Sequence, residues 1–274
     1  MTRPTAAARR PIGLLGIPTD SNSSYLRGAA RGPEAIRAAL ASPHGNAAAE
    51  NGLEIEREML VVDQGDVAIR ETEADDAMIA AKIRGIVASG TLPLALGGDH
   101  WITAPIVRTL AQLHGPLHIL HIDAHPDLYD ALDGNRRSHA SPFARILEAG
   151  SAARLVQVGV RTVNAHQRAQ ATRFGIVEQI PARRLPLVDL PILAGPLYIS
   201  IDLDGVDPSE APGVSHHEPG GLTVRELLDL LDRQSAWLAG ADIVELNPAR
   251  DRDGITAVLA AKLVREIAAM AGAA

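Results

Sequence analysis

Short continuous runs of Val, Ile and Leu recur along this chain, and each leads through a turn into a stretch with helical spacing of apolar residues. A strand that is apolar throughout must be covered on both faces, and strands of that kind joined through helices build a mostly parallel sheet. The runs place strands at residues 12–17, 59–62, 92–96, 117–122, 155–160, 197–201 and 242–246, with helices at 33–40, 74–88, 104–113, 142–148, 224–237 and 255–270. Pro33 and Thr223 stand where a first-turn proline and an N-cap belong. The expected fold is α/β in three layers, αβα, with helices on both faces of the sheet. No fixed-period repeat and no linker-like shift interrupts the pattern. Residues 1–274 therefore read as one domain, with 41–52 as a surface loop.

Composition removes several function classes. Lys plus Arg number 26 against 33 Asp plus Glu, a formal charge of −7, and no basic run offers a footprint for nucleic acid or an anionic membrane. No apolar stretch reaches the roughly 18 residues that span a bilayer. The chain has no cysteine, so any metal must take oxygen and nitrogen ligands. The basic residues 1–11 read as a frayed tail rather than a transit peptide, and a soluble cytoplasmic protein is expected.

In open α/β sheets, ligands gather beyond the carboxyl ends of the strands. Three of those ends are rich in metal-ligand types: Gly97-Gly98-Asp99-His100, Asp123-Ala124-His125-Pro126-Asp127, and Asp202-Leu203-Asp204-Gly205-Val206-Asp207. One such Asp would ordinarily cap a helix or close a turn. Alternation in extended backbone, however, lets Asp123, His125 and Asp127 converge, and likewise Asp202 and Asp204. Grouped carboxylates are costly without a compensating cation. Asp123, Asp127, Asp202 and Asp204 carry four negative charges, which two divalent ions neutralise, leaving His100 and His125 as one imidazole for each. A carboxylate-dominated set without sulfur suits Mn²⁺, although Ni²⁺, Co²⁺ and Fe²⁺ accept the same ligand types. A water between two such ions loses its proton near neutral pH and becomes a hydroxide nucleophile.

GGDH, DAHPD and SIDLDGVDP, in that order, resemble the signature blocks of the ureohydrolase (arginase/agmatinase) family, and the similarity runs from Leu14 to Glu266. HIDAHPDLYD, SHASPFARI, APGVSHHEPGG and LVREIA are similar to arginases of the plant type. The resemblance implies an arginase-like fold and two Mn²⁺, one held by His100, Asp123, Asp127 and Asp202, the other by His125, Asp123, Asp202 and Asp204. It implies that His139 moves protons, that Asp127 orients the nucleophile and that Glu245 holds a guanidinium. Regions 128–138 and 161–164, with Ser138 and Asn164, would face the substrate tail. The family's trimers or hexamers make a homo-oligomer the expected assembly. The reaction so implied is hydrolysis of the guanidino group of an arginine-type amino acid to ornithine plus urea or hydroxyurea, with agmatine as the second substrate. A metal-binding relative without turnover and a deacetylase-like amide hydrolase are the readings from other classes. Metal stoichiometry and turnover separate them.

Two features depart from the family pattern. Asn164 stands where animal arginases carry an aspartate, as in plant-type members. Trp101 follows GGDH where the family usually has Ser, so a bulky ring either reshapes the metal pocket or packs against the following helix. The first alternative suggests a specialised substrate such as Nω-hydroxy-L-arginine, cleaved by the arginase-like enzymes of D-cycloserine biosynthesis. His114, His118 and His121 read as structural, Asp99 and Asp207 as turn or supporting groups, and His216 and His217 as solvated loop residues near the pocket mouth, in reach of a substrate tail.

Overall fold

All strand pairings in the sheet are parallel. The computed structural model describes residues 10–43, 45–55, 60–185 and 191–271. Its strands are β1 (Ile12–Ile17), β2 (Val61–Asp66), β3 (Leu92–Gly97), β4 (Leu117–Ile122), β5 (Ala152–Val160), β6 (Val177–Pro181), β7 (Leu197–Asp202) and β8 (Leu238–Val244). They form one eight-stranded sheet in the order β2-β1-β3-β8-β7-β4-β5-β6. The helices are α1 (Gly32–Leu40), α2 (Asp75–Ala88), α3 (Thr103–His114), α4 (Pro142–Glu148), α5 (Ala165–Phe174), α6 (Val224–Asp232) and α7 (Ile255–Ala271).

Strand alternation sorts the core into two layers. Ile12, Leu14, Leu120, Ile122, Ile199 and Ile201 pack under α1, α6 and α7, whereas Leu15, Ile17, Leu117, Ile119 and Tyr198 pack under α2, α3 and α4. The sheet therefore has helices on both faces. In α6, Thr223 and Glu226 form a reciprocal capping box, and Leu227, Leu228, Leu230 and Leu231 are buried. Each buried leucine is worth roughly 1.5–3 kcal/mol. Among the described residues no helix is long and apolar enough to cross a membrane.

Several boundaries depart from the sequence expectation, each for a physical reason. β8 starts at Leu238 and ends at Val244, against the expected 242–246, and α6 stops at Asp232 instead of continuing to 237. Leu238-Ala239-Gly240-Ala241 has weak strand propensity, yet it lies in the middle of the sheet, where packing overrides propensity. Both β6 and α5 were unanticipated: α5 is polar nearly throughout, even burying Gln167 and Gln170, so it shows no apolar stripe. β2 runs into polar residues because it is a sheet edge. The expected strand 59–62 begins on Met59, which lies outside the described residues.

Gly98 explains the second glycine of GGDH. Its N–H donates to Ile17 O and its carbonyl accepts from Glu245 N, so the backbone is held between two loops. A Cβ there would stand 1.7 Å from the Thr19 carbonyl oxygen. Backbone, not a flexible side chain, would have to move. Gly98→Ala should therefore cost about 3 kcal/mol, read from urea unfolding; an unchanged midpoint would show that the loops are not closely apposed.

Candidate metal centre and cavity

Four adjacent central strands, β3, β8, β7 and β4, bring His100, Glu245, Asp202 and Asp123 to one end of the sheet. This is where an open α/β sheet collects its ligands. His100 is fully buried. Its Nε2 lies 2.9 Å from Ser200 Oγ, and that hydroxyl donates to Asp242 Oδ1 at 2.7 Å. With its proton committed to Asp242, the serine oxygen accepts from Nε2–H, and Nδ1 keeps its lone pair. Asp242 is itself fixed by Tyr198 OH and Thr103 Oγ1 at 2.6 and 2.7 Å.

That lone pair points into a cage of oxygens. His100 Nδ1 is buried without a hydrogen bond, and lies 3.3, 3.1 and 3.2 Å from Asp123 Oδ2, Asp127 Oδ2 and Asp202 Oδ2. A second group is formed by His125 Nδ1, 3.4 Å from Asp123 Oδ1 and 3.1 Å from Asp204 Oδ2. Asp123 thus turns one oxygen to each histidine. Backbone donors orient the carboxylates: His125 N to Asp123 Oδ1 (2.6 Å), Ala124 N to Asp204 Oδ1 (3.1 Å) and Asp204 N to Asp202 Oδ1 (2.9 Å).

Electrostatics says what such a cage wants. Burial, then Asp204 and Asp123, pushes the Asp202 carboxyl well up; burial, then Asp123, brings Asp204 up to about 6. Burial would lower His100, but Asp123, Asp127 and Asp202 outweigh it and hold the imidazole well above its ordinary value, so with no cation in the cage a proton takes up the Nδ1 lone pair. The carboxylates demand positive charge, and the orphaned Nδ1 among three oxygens offers a donor set rather than a satisfied ion pair. These residues fit divalent cations bound through nitrogen and oxygen.

Backbone strain marks the same place. Asp127 (φ 50°) and Glu245 (φ 66°) are non-glycine residues in the left-handed region, a cost that concentrates at functional sites. Glu245 Oε1 accepts from His100 N and lies 3.0 Å from His139 Nδ1. Burial would lower His139, but the Glu245 carboxylate raises it to about 9. His139 Nε2 lies 2.9 Å from Ser24 Oγ.

A cavity of about 160 Å³ opens over these groups. His125, Asp127, Asp202, Asp204, His139 and Glu245 line it, together with Tyr129, Leu132, Thr162, Asn164, Gln167 and His216. Asn164 is partly committed: its Oδ1 caps α5 by accepting from Gln167 N, and its Nδ2 donates to Tyr129 OH at 2.6 Å. Ser138 is buried, its hydroxyl accepting from Ala140 N, and does not line the cavity. Nor does Trp101, which packs away from it, donating Nε1–H to Asp76 on α2. Asp99 accepts from Asn22 N and Trp101 N, while Asp207 closes a loop through Ser209, Gly220 and Gly221.

Sequence reasoning passed over His121 and Ser24 here, and placed His216 near the pocket mouth without giving it a part in the site. His121, set aside as structural, is fully buried with Nε2 2.8 Å from Asp123 Oδ2. Its spacing, two residues before Asp123 and four before His125, was the available signal. His216 lies in the wall, its ring 5.1 Å from that of His139. Ser24 carried no signal, because a polar loop residue after β1 says nothing about which strand end it will cover.

Comparison with known proteins bears on this geometry. The model of the arginase family matches residues 10–270. Arginase 1, mitochondrial, of Arabidopsis thaliana is 46% identical over 286 residues, spanning 98% of this chain and 83% of the relative. Agmatinase, mitochondrial, of Gallus gallus is 34% identical over 281 residues, spanning 96% and 82%. The solved arginase from Medicago truncatula superposes with a TM-score of 0.90 at 43% identity, covering 95% of this chain and 87% of that one.

Proposed function

Because this chain belongs to the arginase family over residues 10–270, we propose that it hydrolyses the guanidino group of L-arginine, giving ornithine and urea, at a centre of two Mn²⁺. The observation that carries the reading is Asp123, whose two oxygens face His100 and His125 separately and so suit a ligand shared between two cations. One cation would be held by His100, Asp123, Asp127 and Asp202, the other by His125, Asp123, Asp202 and Asp204. When bound, such a pair supplies the acidity that deprotonates a water near neutral pH.

The remaining work falls to the chain's own groups. A guanidinium stays cationic at physiological pH, and its delocalised charge makes the central carbon a poor electrophile. The Glu245 carboxylate can accept two parallel N–H bonds from that planar fork and fix it against the acidic floor of the cavity. Asp127 orients the attacking water. His139, beside Glu245 and within reach of the cavity, moves a proton to the departing amine and exchanges it with solvent. The tail would meet the wall formed by Tyr129, Thr162, Asn164 and His216.

L-Arginine is preferred over Nω-hydroxy-L-arginine because Trp101, the residue that suggested a specialised substrate, does not line the cavity. It is preferred over agmatine because identity to a named arginase exceeds identity to a named agmatinase, 46% against 34%. With manganese-loaded protein, kcat/KM for urea release from L-arginine should exceed that from agmatine by at least about a hundredfold, the scale of discrimination when polar tail contacts are lost. Hydroxyurea release from the N-hydroxy derivative should be slower. A preference for agmatine would overturn the substrate, and turnover of none would overturn the enzyme reading.

A further inference from the structure

The residue after His100 and the residue two before His139 meet outside the cavity. Arg137 Cζ stacks 4.8 Å from the Trp101 ring centroid, within cation–π range. Asp76, at the start of α2, ties both together: its Oδ1 accepts from Trp101 Nε1 at 3.1 Å and forms an ion pair with Arg137 Nη1 at 2.9 Å. Its Oδ2 accepts from Arg108 Nη2 at 3.0 Å, which fixes the carboxylate against α3. Trp101 is 4% exposed and its backbone N–H is held by Asp99, so the ring belongs to the rigid part of the molecule. Arg137 belongs to the loop between β4 and α4, which has little regular structure and carries His139 into the site.

The geometry points to a clamp: Asp76 and Trp101 grip the Arg137 side chain and thereby position the loop that presents His139 to Glu245 and to substrate. Arg137, Trp101 and Asp76 touch neither the cavity nor its floor, so they are positioning residues. Other ties run within the loop and to α4, from Tyr129 N to Ala140 O and from Arg136 and Arg145 to Asp130 and Glu148. His139 N donates to Asn22 O, and the imidazole reaches Ser24 and Glu245, but Asn22 and Ser24 are themselves in a loop. Among the described residues of the loop, Arg137 supplies the anchorage to an α2–α3 pair that the sheet holds in place. The consequence for turnover rests on His139 moving protons, as proposed above; the mechanical part does not.

Arg137→Gln is the main variant, since its side chain is 22% exposed and its loss leaves the core intact. Trp101→Ser removes the other face of the stack, and Arg137→Lys keeps a cation over the ring and against Asp76. We expect Arg137→Gln to lower kcat for L-arginine by about ten- to hundredfold, the scale of a catalytic group displaced by about an ångström, with KM within about twofold. Amide hydrogen exchange across residues 133–141 should rise, while exchange in α7 and the number of metal ions bound stay as in the parent. Arg137→Lys should recover most of the loss in both readouts. Unchanged exchange in 133–141 overturns the clamp whatever the rate does. Raised exchange with an unchanged kcat shows that His139 needs no such positioning, and also overturns the proposal. If the parent turns over no guanidine, the functional reading fails, and the exchange measurement still decides whether the clamp exists.

Discussion

Asp123→Asn will give a folded protein that takes up fewer than two divalent ions per chain and turns over L-arginine at least about a thousandfold more slowly, since each ion's charge stabilisation is worth several kcal/mol. The expectation follows from where the two oxygens go. Oδ2 lies 3.3 Å from His100 Nδ1 and 2.8 Å from His121 Nε2, and Oδ1 lies 3.4 Å from His125 Nδ1 while accepting from His125 N. An amide keeps the shape but turns an NH₂ toward one of the histidines, where it satisfies the lone pair that a cation would otherwise take. It also removes one of four clustered negative charges, so the cage holds less charge for two cations to neutralise. Burial would raise Asp123, but His121, His100 and His125 outweigh it and hold the carboxyl well below its ordinary value, so the variant loses some stability, and the matched volume of the amide keeps it folded. Metal content by elemental analysis, with melting temperature as a control, checks this. Two tightly bound ions and parental turnover in the variant would remove the shared-ligand role.

The sequence made the layers and the site's location legible because both rest on short-range pattern. A mostly apolar run such as Leu117–Ile122, interrupted only by His118 and His121, fits a strand covered on both faces, and the polar block directly after it, beginning at Asp123, then falls at its carboxyl end. Since β3, β8, β7 and β4 are neighbours, blocks separated by about a hundred residues of chain meet in space. Where pattern and environment disagreed, the reading lost accuracy. Leu238–Val244 is a central strand built partly of Ala and Gly, and α5 buries glutamines, so neither carries the hydrophobic signature of its class.

Side-chain direction was the harder limit. Trp101 follows a candidate metal-binding histidine, and sequence adjacency alone allows it to line the pocket or to avoid it. The 3-10 turn His100–Ile102 sends the indole toward α2 instead, where Asp76 and Arg137 occupy it. His121 shows the converse. It stands two residues before Asp123, hence on the same side of the extended chain, and Gln157 Nε2 bonds its Nδ1 at 2.9 Å while its Nε2 turns to Asp123. With the amide donating to Nδ1, the ring donates through Nε2 and steadies the carboxylate placed between His100 and His125. The period-two rule contained that relation, but histidines of both parities on and beside β4 obscured it.

Glu245→Gln should keep both metal ions and lose between about thirtyfold and several thousandfold in kcat/KM for L-arginine, the range spanned when one partner of a buried charged hydrogen-bonded pair is neutralised. The carboxylate is 4% exposed, lies at φ 66°, and is held by His100 N–H and His139, with no arginine or lysine partner among the described residues. Burial would raise Glu245, but the neighbouring His139 outweighs it and holds the carboxyl below its ordinary value, so the group stays ionised. The strained backbone that presents it carries a cost, which becomes intelligible if a cation arrives as substrate. The amide preserves volume and still offers one oxygen, but it can no longer accept two charged N–H bonds from a planar fork. Loss should therefore fall mainly on guanidinium recognition, raising KM or the inhibition constant of an unreactive guanidine as well as lowering kcat. Equilibrium binding of such a guanidine, followed by calorimetry on metal-loaded parent and variant, separates this from damage to the metal centre. If the variant binds the guanidine as tightly as the parent and holds both ions, Glu245 does not grip the substrate, and its charge serves only to keep His139 in place.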